Sequence, residues 1–276
     1  MRLVLDIGGT KIAAAHVADG LLQDRRQLPM PATEAEFMQA IASLAAGRPP
    51  IGSAAVAVTG YTDGTLVRGI NWKTIGFWDG FPLVPRLVDL LGCPVTVLND
   101  AQAAAWAEYE ARRHEVKDLL FITLSTEVGG GLVLDGRLRE GRQGLAHVGH
   151  MAFDVMPLDA TDRAPIVCGC GRTGCLEAVA SRTALARQAR TAFGKELNSE
   201  ALFNMADQGT ALAEAIVSNA AKAVASAIGS CHSQLDLQCV VLGGSVGLGH
   251  AGPGSASPRA VACYLPGAGG SSTTGR

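Results

Sequence analysis

Three cysteines and a nearby histidine give this sequence its clearest chemical signal. Cys168, Cys170 and Cys175 are separated mainly by small residues, so the chain can curl three thiolates around one ion. One histidine would complete a tetrahedral Cys₃His zinc site, and such closed sites are structural because they leave no position for water. His147 and His150 both precede the cysteines, and spacing alone leaves either one open as the fourth ligand. Buried small side chains or a disulfide are the alternatives.

Glycines form the second signal, because they cluster where the backbone can approach a ligand. The chain has 34 glycines among 276 residues, about 12% against roughly 7% in average proteins. In segment 6–11, DIGGTK, adjacent glycines would let backbone N–H groups reach phosphate oxygens, and Asp6 could hold Mg²⁺ through water. A hairpin whose glycines only supply positive φ values is the alternative.

Two later segments repeat this pattern. Segment 125–131, STEVGGG, follows an apolar run in the second half of the chain. Two glycine turns, one in each half, suit a nucleotide clamped between two domains. Segment 242–247, LGGSVG, is a third turn from strand to loop and is suited to packing under an adenosine.

A carboxylate before a helix is the candidate for proton transfer. Asp100 follows Asn99 and an apolar run, and it precedes an alanine-rich helix predicted over 101–113. Aspartate in such a place is commonly an N-cap. A carboxylate at the mouth of an α/β cleft is also where a general base would take the proton of a sugar hydroxyl. Both roles can hold together.

These residues need an α/β framework to position them. Apolar and helical patterns predict strands at 3–5, 12–17, 54–59, 94–98, 119–124 and 239–242, and helices at 101–113, 182–193 and 211–233. Strands that alternate with helices imply an α/β architecture with largely parallel sheets. We predict an N-terminal domain at 1–116 and a C-terminal domain at 117–248. Half of residues 249–276 are Gly, Pro or Ser, which predicts a flexible tail.

Charge and composition limit the kinds of partner that this chain is expected to bind. The formal net charge is −2 and the chain has no run rich in Lys or Arg, which argues against nucleic acid and membrane surfaces as partners. Asp6 interrupts the N-terminal apolar run, so neither a signal peptide nor a membrane span is expected there. We therefore expect a cytoplasmic protein whose seven cysteines are thiols or metal ligands.

Together the motifs resemble those of the ROK family of sugar kinases, over about residues 1 to 248. The matching segments are DIGGTK, LNDAQAAAWAE, ST-x-VGGG, GLA-x-VGH, CGCGRTGCLE and LGGSVG. The resemblance implies a two-domain actin-like ATPase fold of the ribonuclease H type, with the active site in a cleft between the domains. It also implies ATP, Mg²⁺ and a structural Zn²⁺ as cofactors, and it leaves a homodimer open as the assembled state.

The resemblance assigns roles to matching positions. Asp100 would accept the proton of the sugar 6-hydroxyl. The sugar would be contacted by Asn99, His147, His150 and Glu177. Zinc would be bound by His150, Cys168, Cys170 and Cys175. ATP and Mg²⁺ would be held by Asp6, Ile7, Gly8, Gly9, Thr10, Lys11, Thr126, Gly129, Gly130, Gly131, Gly243 and Gly244.

Within the family, the segments NDAQAAAWAE and GGSVGL are most similar to the branch that phosphorylates N-acetylmannosamine in sialic acid and amino-sugar catabolism. His147, in place of the family's usual glutamate, points to the same branch. Kinases for glucose, fructose or N-acetylglucosamine are alternatives, and so is a degenerate sugar-binding protein with impaired catalysis. Because the chain begins at the first kinase strand, we do not expect one of the family's DNA-binding repressors.

Three departures from the family pattern bear on the degenerate alternative. Glu127 stands where the second turn normally has glycine, and its carboxylate would weaken the affinity for ATP. One residue is missing before His147. The segment after residue 248 is similar to a shifted reading frame or a truncation, and we expect this to lower stability.

Overall fold

A computed structural model describes residues 1–69, 75–141, 147–153, 166–247 and 260–263, the last of these as backbone only. The chain divides into two compact units. The first comprises Met1–Ala103 with Glu140–Gly144, and the second comprises Ala104–Arg139 with Leu145–Arg276. The division falls inside a helix, whereas the sequence placed the domain boundary near residue 116.

The first unit contains a five-stranded sheet, a small three-stranded sheet and two complete helices among its described residues. In chain order the elements are β1 (Arg2–Ile7), β2 (Lys11–Ala18), β3 (Leu21–Pro29), α1 (Glu34–Ala45), β4 (Ser53–Val58), β5 (Tyr61–Thr62), β6 (Val67–Arg68), β7 (Asp79–Phe81), α2 (Leu83–Leu91) and β8 (Val95–Asn99). A further helix, α3 (Asp100–Arg112), begins here and continues into the second unit.

The large sheet of the first unit is mixed. Its strand order is β3-β2-β1-β4-β8, with β1 to β3 antiparallel and with β4 and β8 parallel to β1. The prediction of a largely parallel sheet is therefore wrong, because the first glycine turn makes a hairpin of β1 and β2. In the parallel part, Ile7 lies opposite Val58 and Val58 lies opposite Asn99. The sheet thus brings the carboxyl ends of three strands to one edge, where α/β sheets commonly bind ligands.

Alternation along β1 decides which side chains face the core of this unit. Leu3, Leu5 and Ile7 are buried, and they pack with residues of α1 and α2 such as Phe37. Asp6 points to the opposite face and is exposed. Asp6 is therefore open to solvent at the carboxyl edge of the sheet.

The second unit has its own five-stranded sheet, and its helices lie between the strands in the chain. In chain order the elements are β9 (Leu119–Leu124), β10 (Val128–Leu134), β11 (Arg137–Leu138), a 3₁₀ turn (Val148–His150), α4 (Glu177–Ala180), α5 (Arg182–Phe193), α6 (Ser199–Asp207), α7 (Ala211–Leu235), β12 (Cys239–Gly243), α8 (Gly244–Gly247) and β13 (Ala260–Cys263).

The strand order of this sheet is β11-β10-β9-β12-β13, and only β9 and β12 pair in parallel among the described strands. The central strand β9 is covered on both faces. Leu120 and Ile122 pack with residues of α4 to α7, while Leu119 and Phe121 pack with residues of α3. β13 lies inside the segment predicted to be a flexible tail, and its backbone pairs with β12. At least this part of the segment is ordered in the sheet.

Helix α7 is, among the described residues, the one helix long and apolar enough to cross a membrane. Ala213, Ile216 and Ala223 of this helix are buried in the core of the second unit. Since core helices of globular proteins meet the same criteria, length and composition here are weak evidence for a membrane span.

Candidate functional site

The histidine and cysteines identified by their spacing come together in the second unit. One potential ligand atom each from His150, Cys168, Cys170 and Cys175 lies within 4.8 Å of the others. Cys170 Sγ and Cys175 Sγ are 3.7 Å apart, and Cys168 Sγ is 3.6 Å from His150 Nδ1. A tetrahedral zinc site with ordinary bond lengths has edges of about 3.8 Å and 3.5 Å between such atoms. The four side chains therefore fit one zinc ion.

His150, and not His147, is the histidine of this cluster. The two imidazole rings stack, with 6.0 Å between their centroids and 23° between their planes. His147 therefore lies beside the cluster, next to one of its ligands. The sequence lacks one residue of the family pattern before His147, and that position lies within 142–146, outside the described residues.

Two glycines and an arginine shape the loop between the cysteines. Gly171 and Gly174 have φ values of 85° and 71°, which residues with a side chain rarely adopt. The Cys168 N–H donates to the Arg172 carbonyl oxygen at 2.7 Å, which closes the loop. The Arg172 guanidinium donates to the His150 carbonyl oxygen, also at 2.7 Å. Arg172 thus joins the two segments that carry the ligands.

The environment separates the pKa values of the three thiols. Burial raises the pKa of Cys168, and the nearby Glu177 carboxylate adds to that rise. Burial also raises the pKa of Cys175. At Cys170 burial is outweighed by hydrogen bonds from the backbone and side chain of Arg172, which lower the pKa to about 7. A divalent cation would favour the thiolate form of all three, so these crowded thiols suit a metal better than a metal-free core.

Segments on both sides of the cluster touch Val128, the first residue of β10. Glu177 begins α4, and its Oε1 lies 3.4 Å from Cys168 Sγ. Its Oε2 accepts a hydrogen bond from the Val128 N–H at 3.3 Å. A Cβ on Gly149, next to His150, would lie 2.1 Å from the Val128 carbonyl oxygen. Only glycine fits there, so the segments that carry His150 and Glu177 pack directly against the start of β10.

The first glycine turn joins β1 to β2, as predicted. The Gly8 N–H donates to the Lys11 carbonyl oxygen at 3.0 Å. Neither Gly8 nor Gly9 has a positive φ value. Among the described residues, the nearest atom to a Cβ placed on Gly8 is that same oxygen, at an ordinary contact distance of 3.6 Å. The interpretation that these glycines only supply positive φ values is therefore wrong.

The second glycine segment differs from its prediction. Gly129, Gly130 and Gly131 lie inside β10 and pair with residues 121–123 of β9, so they do not form a turn. The chain reverses over residues 125–127, where the Ser125 N–H donates to the Glu127 carbonyl oxygen at 3.0 Å. Three residues are enough to connect an antiparallel pair, which leaves the glycines to pair in register.

The third glycine pair lies at the end of β12 and the start of α8. Gly244 has a φ value of 85°, and a Cβ on it would lie 2.3 Å from the Leu124 carbonyl oxygen. A Cβ on Gly243 would lie 2.8 Å from the Phe121 ring. Packing against β9 accounts for both glycines, and their contact with an adenosine stays a prediction.

Asn99, not Asp100, caps α3. The Asn99 side-chain oxygen accepts from the N–H groups of Ala101 at 3.0 Å and Gln102 at 3.3 Å. Its amide donates to the Gly60 carbonyl oxygen at 3.0 Å, and the residue is buried. Because these contacts occupy the Asn99 side chain, it positions the residue that follows. Its predicted contact with a sugar hydroxyl would require some of these bonds to break.

Asp100 is thereby left with a carboxylate that can act on a ligand. One of its oxygens accepts a hydrogen bond from the Ala101 N–H at 2.7 Å. Asp100 is exposed, yet surrounding protein still excludes part of the water from its carboxylate. This desolvation raises the pKa of Asp100, and the negative charge of Asp6 adds to the rise. A carboxylate with a raised pKa is a stronger base, as proton abstraction requires.

Comparisons with known proteins decide the family. The model of the ROK family matches residues 2–267. The chain belongs to the ROK family. The match extends past residue 248, where the recognisable motifs end, and it includes β13. The predicted family is thus confirmed.

Relatives and solved structures agree with this assignment. The N-acetylmannosamine kinase of Escherichia coli O127:H6 is 44% identical, over 89% of this chain and 83% of that protein. The ROK hexokinase of Thermus thermophilus is 32% identical with a TM-score of 0.76, over 90% of this chain and 83% of that one. A ROK glucokinase from Streptomyces griseus, in complex with glucose and AMPPNP, is 28% identical with a TM-score of 0.70, over 89% and 83%. The predicted actin-like ATPase fold is confirmed.

Proposed function

We propose that this chain is an ATP-dependent sugar kinase that phosphorylates N-acetyl-D-mannosamine at its 6-hydroxyl, in sialic acid and amino-sugar catabolism. The observation that carries the proposal is the carboxyl edge of the first unit's sheet. There the exposed Asp100 carboxylate, whose pKa is raised, shares the edge with the first glycine turn. The choice of sugar rests on the named N-acetylmannosamine kinases at 44% identity.

The first unit would supply the base and part of the phosphate site. Asp100 would accept the proton of the 6-hydroxyl as its oxygen attacks the γ-phosphate. Asp6 would hold Mg²⁺ through water, and the backbone of Gly8, Gly9 and Thr10 would donate to phosphate oxygens. Such a reaction depends on positioning and charge stabilisation more than on covalent chemistry by the protein.

The second unit would supply the rest. Thr126 and the glycines of β10 would contact phosphates, Gly243 and Gly244 would contact the adenosine, and the sugar would meet Glu177 and His147. Zinc would be held by His150, Cys168, Cys170 and Cys175. When bound, it would provide a closed structural cross-link, since four protein ligands leave no position for a reactive water.

Location and assembly stay predictions of this proposal. A sugar kinase of the sialic acid route would act in the cytoplasm on small molecules, without nucleic acid or membrane partners. A homodimer is the assembly we predict, and size-exclusion chromatography with light scattering tests it directly.

A sugar-binding protein without turnover is the second candidate. It is favoured by Glu127, an exposed carboxylate in the 125–127 turn that would repel the phosphates of ATP. The two candidates differ in one measurable property, the release of ADP in the presence of sugar.

The test is a coupled ADP-release assay on zinc-replete protein with N-acetylmannosamine, N-acetylglucosamine, glucose and fructose in parallel. We expect a preference for N-acetylmannosamine that is lost in Asp100→Ala. Asp89→Ala, which removes an exposed aspartate from α2 of the same unit, is the matched control and should retain activity. Preference for another hexose would reject the proposed substrate. Sugar binding by folded protein without ADP release would favour the second candidate.

A further inference from the structure

The 125–127 turn is held from outside by the start of α5, which belongs to none of the family motifs. The Arg182 N–H donates to the Ser125 carbonyl oxygen at 2.8 Å. The Thr183 hydroxyl donates to the Thr126 carbonyl oxygen at 2.9 Å. The Arg182 guanidinium also donates to the Thr126 hydroxyl. Two consecutive residues of one helix thus bind two consecutive residues of the turn.

The start of α5 is itself firmly placed. Ser181 is its N-cap, and the Ser181 hydroxyl oxygen accepts from the Ala184 N–H at 3.1 Å. Ser181, Ala184 and Leu185 are buried in the second unit. Arg182 and Thr183 therefore project from a helix end that cannot shift without disturbing the core.

The turn, by contrast, needs such support. Thr126 and Glu127 are exposed, and neither belongs to the paired part of β9 or β10. Without an external partner, the Thr126 backbone would sample several conformations, and fixing it on ligand binding would cost free energy. A turn fixed in advance binds its ligand more tightly.

We propose that Arg182 and Thr183 are positioning residues that fix the 125–127 turn for the phosphates of the nucleotide. This inference rests on the proposed function, in which the turn lies at the nucleotide. Neither residue needs to touch the nucleotide, because their contacts act through the Ser125 and Thr126 carbonyl oxygens and the Thr126 hydroxyl. Their loss should therefore weaken nucleotide binding and leave sugar binding unchanged.

The test compares two affinities, each measured by isothermal titration calorimetry: AMPPNP with Mg²⁺, and N-acetylmannosamine. Thr183→Val keeps the branched shape and removes the donor. We expect its Kd for AMPPNP to rise about two- to tenfold, the usual range for one hydrogen bond, with the Kd for the sugar unchanged. Thr183→Ser keeps the hydroxyl and should restore the wild-type Kd.

Thr191→Val is the matched control. It makes the same substitution on the same helix, but the Thr191 hydroxyl donates within α5, to the Arg187 carbonyl oxygen. Its Kd for AMPPNP should equal that of the wild type. Arg182→Gln, which removes the guanidinium contact with Thr126, provides a second variant should Thr183→Val fail to fold.

The outcomes separate this inference from the proposed function. Equal AMPPNP affinity in wild type and Thr183→Val would overturn the inference alone. Equal weakening of nucleotide and sugar in Thr183→Val would also overturn it, because the role would then be general stability. A folded wild type that binds no AMPPNP would overturn the proposed function and this inference together.

Discussion

The two units share one strand plan but support their corresponding turns differently. In each sheet a three-strand antiparallel meander is followed by a strand parallel to the first, in the orders β3-β2-β1-β4 and β11-β10-β9-β12. Ile7 and Leu124 end the corresponding first strands. In the turn after Ile7, a Cβ on Gly8 would meet the Lys11 carbonyl oxygen at an ordinary contact distance of 3.6 Å. The turn after Leu124 is bonded to α5 and adjoins Val128, which contacts Glu177.

The two units also differ in the side chains that cross-link their elements. In the first unit the buried Arg48 guanidinium donates to carbonyl oxygens of Leu44 at 2.7 Å and Asp24 at 2.9 Å, which joins α1 to β3. In the second unit the histidine and cysteine cluster joins the 3₁₀ turn to the cysteine loop that precedes α4. The first cross-link is a permanent charge, whereas the second would make stability depend on an added ion if it binds the proposed zinc.

The largest expected effect concerns the base at the edge of the first unit. Asp100→Asn should lower kcat by about 10²- to 10⁴-fold, the usual contribution of a general base. The Kd for N-acetylmannosamine should change little, because Asn99 still caps α3. ADP release and calorimetry check the two quantities. Retained turnover would remove Asp100 from the mechanism.

Loss of the metal should affect the second unit. Cys175→Ser should abolish stoichiometric zinc and lower the unfolding temperature by about 10 °C, because binding free energy of several kcal/mol is lost. Metal analysis and calorimetric unfolding measure this. Cys231→Ser, in the same unit but outside the cluster, should keep its zinc. Unchanged zinc content in Cys175→Ser would contradict the site.

Two glycine substitutions test the contrast between Gly149, which is packed against backbone, and Gly8, which is less crowded. Gly149→Ala should lower the free energy of unfolding by about 1–3 kcal/mol or more, since its Cβ meets the Val128 backbone. Gly8→Ala should change it by less than about 0.5 kcal/mol, yet raise the Kd for AMPPNP about tenfold. Denaturant unfolding and calorimetry test both. A strongly destabilised Gly8→Ala would show that the chain itself requires this glycine.

The charge in the second turn should have a smaller effect. Glu127→Gln removes a carboxylate that the first turn lacks, and it should lower the KM for ATP about two- to fivefold, as expected for an exposed charge. The effect should shrink at high salt because exposed charges are screened. Steady-state kinetics at two salt concentrations measures it. An increased KM would mean that Glu127 assists ATP binding.

The smallest effect is a shift in pH dependence. Asp100 must be ionised to act as a base, so kcat/KM should fall as the pH falls through its pKa. Because burial and Asp6 raise that pKa, the acid limb should lie above the pH expected for an ordinary aspartate. Asp6→Asn should move this limb to lower pH, whatever it does to the maximal rate. A limb that stays in place would exclude coupling between the two carboxylates.

Much of the framework was predictable because local patterns are strong in it. The predicted helices at 101–113, 182–193 and 211–233 agree with α3, α5 and α7 to within two residues at each end. The sequence does not predict β3, because most of its residues are exposed and show no apolar alternation. The sheets are less parallel than the α/β pattern predicts because each begins with an antiparallel meander, β1 to β3 and β9 to β11.

The sequence by itself determined the family, the cysteine cluster and the first glycine turn, because each depends on residues that are close in the chain. Tertiary structure decided what depends on distant partners. It selected His150 over His147 as the cluster histidine, and it gave the cap of α3 to Asn99 so that the Asp100 carboxylate stays available. It also placed Arg182 and Thr183 against a turn more than 50 residues earlier in the chain. No local pattern encodes that contact, since it exists only once α5 packs against its sheet.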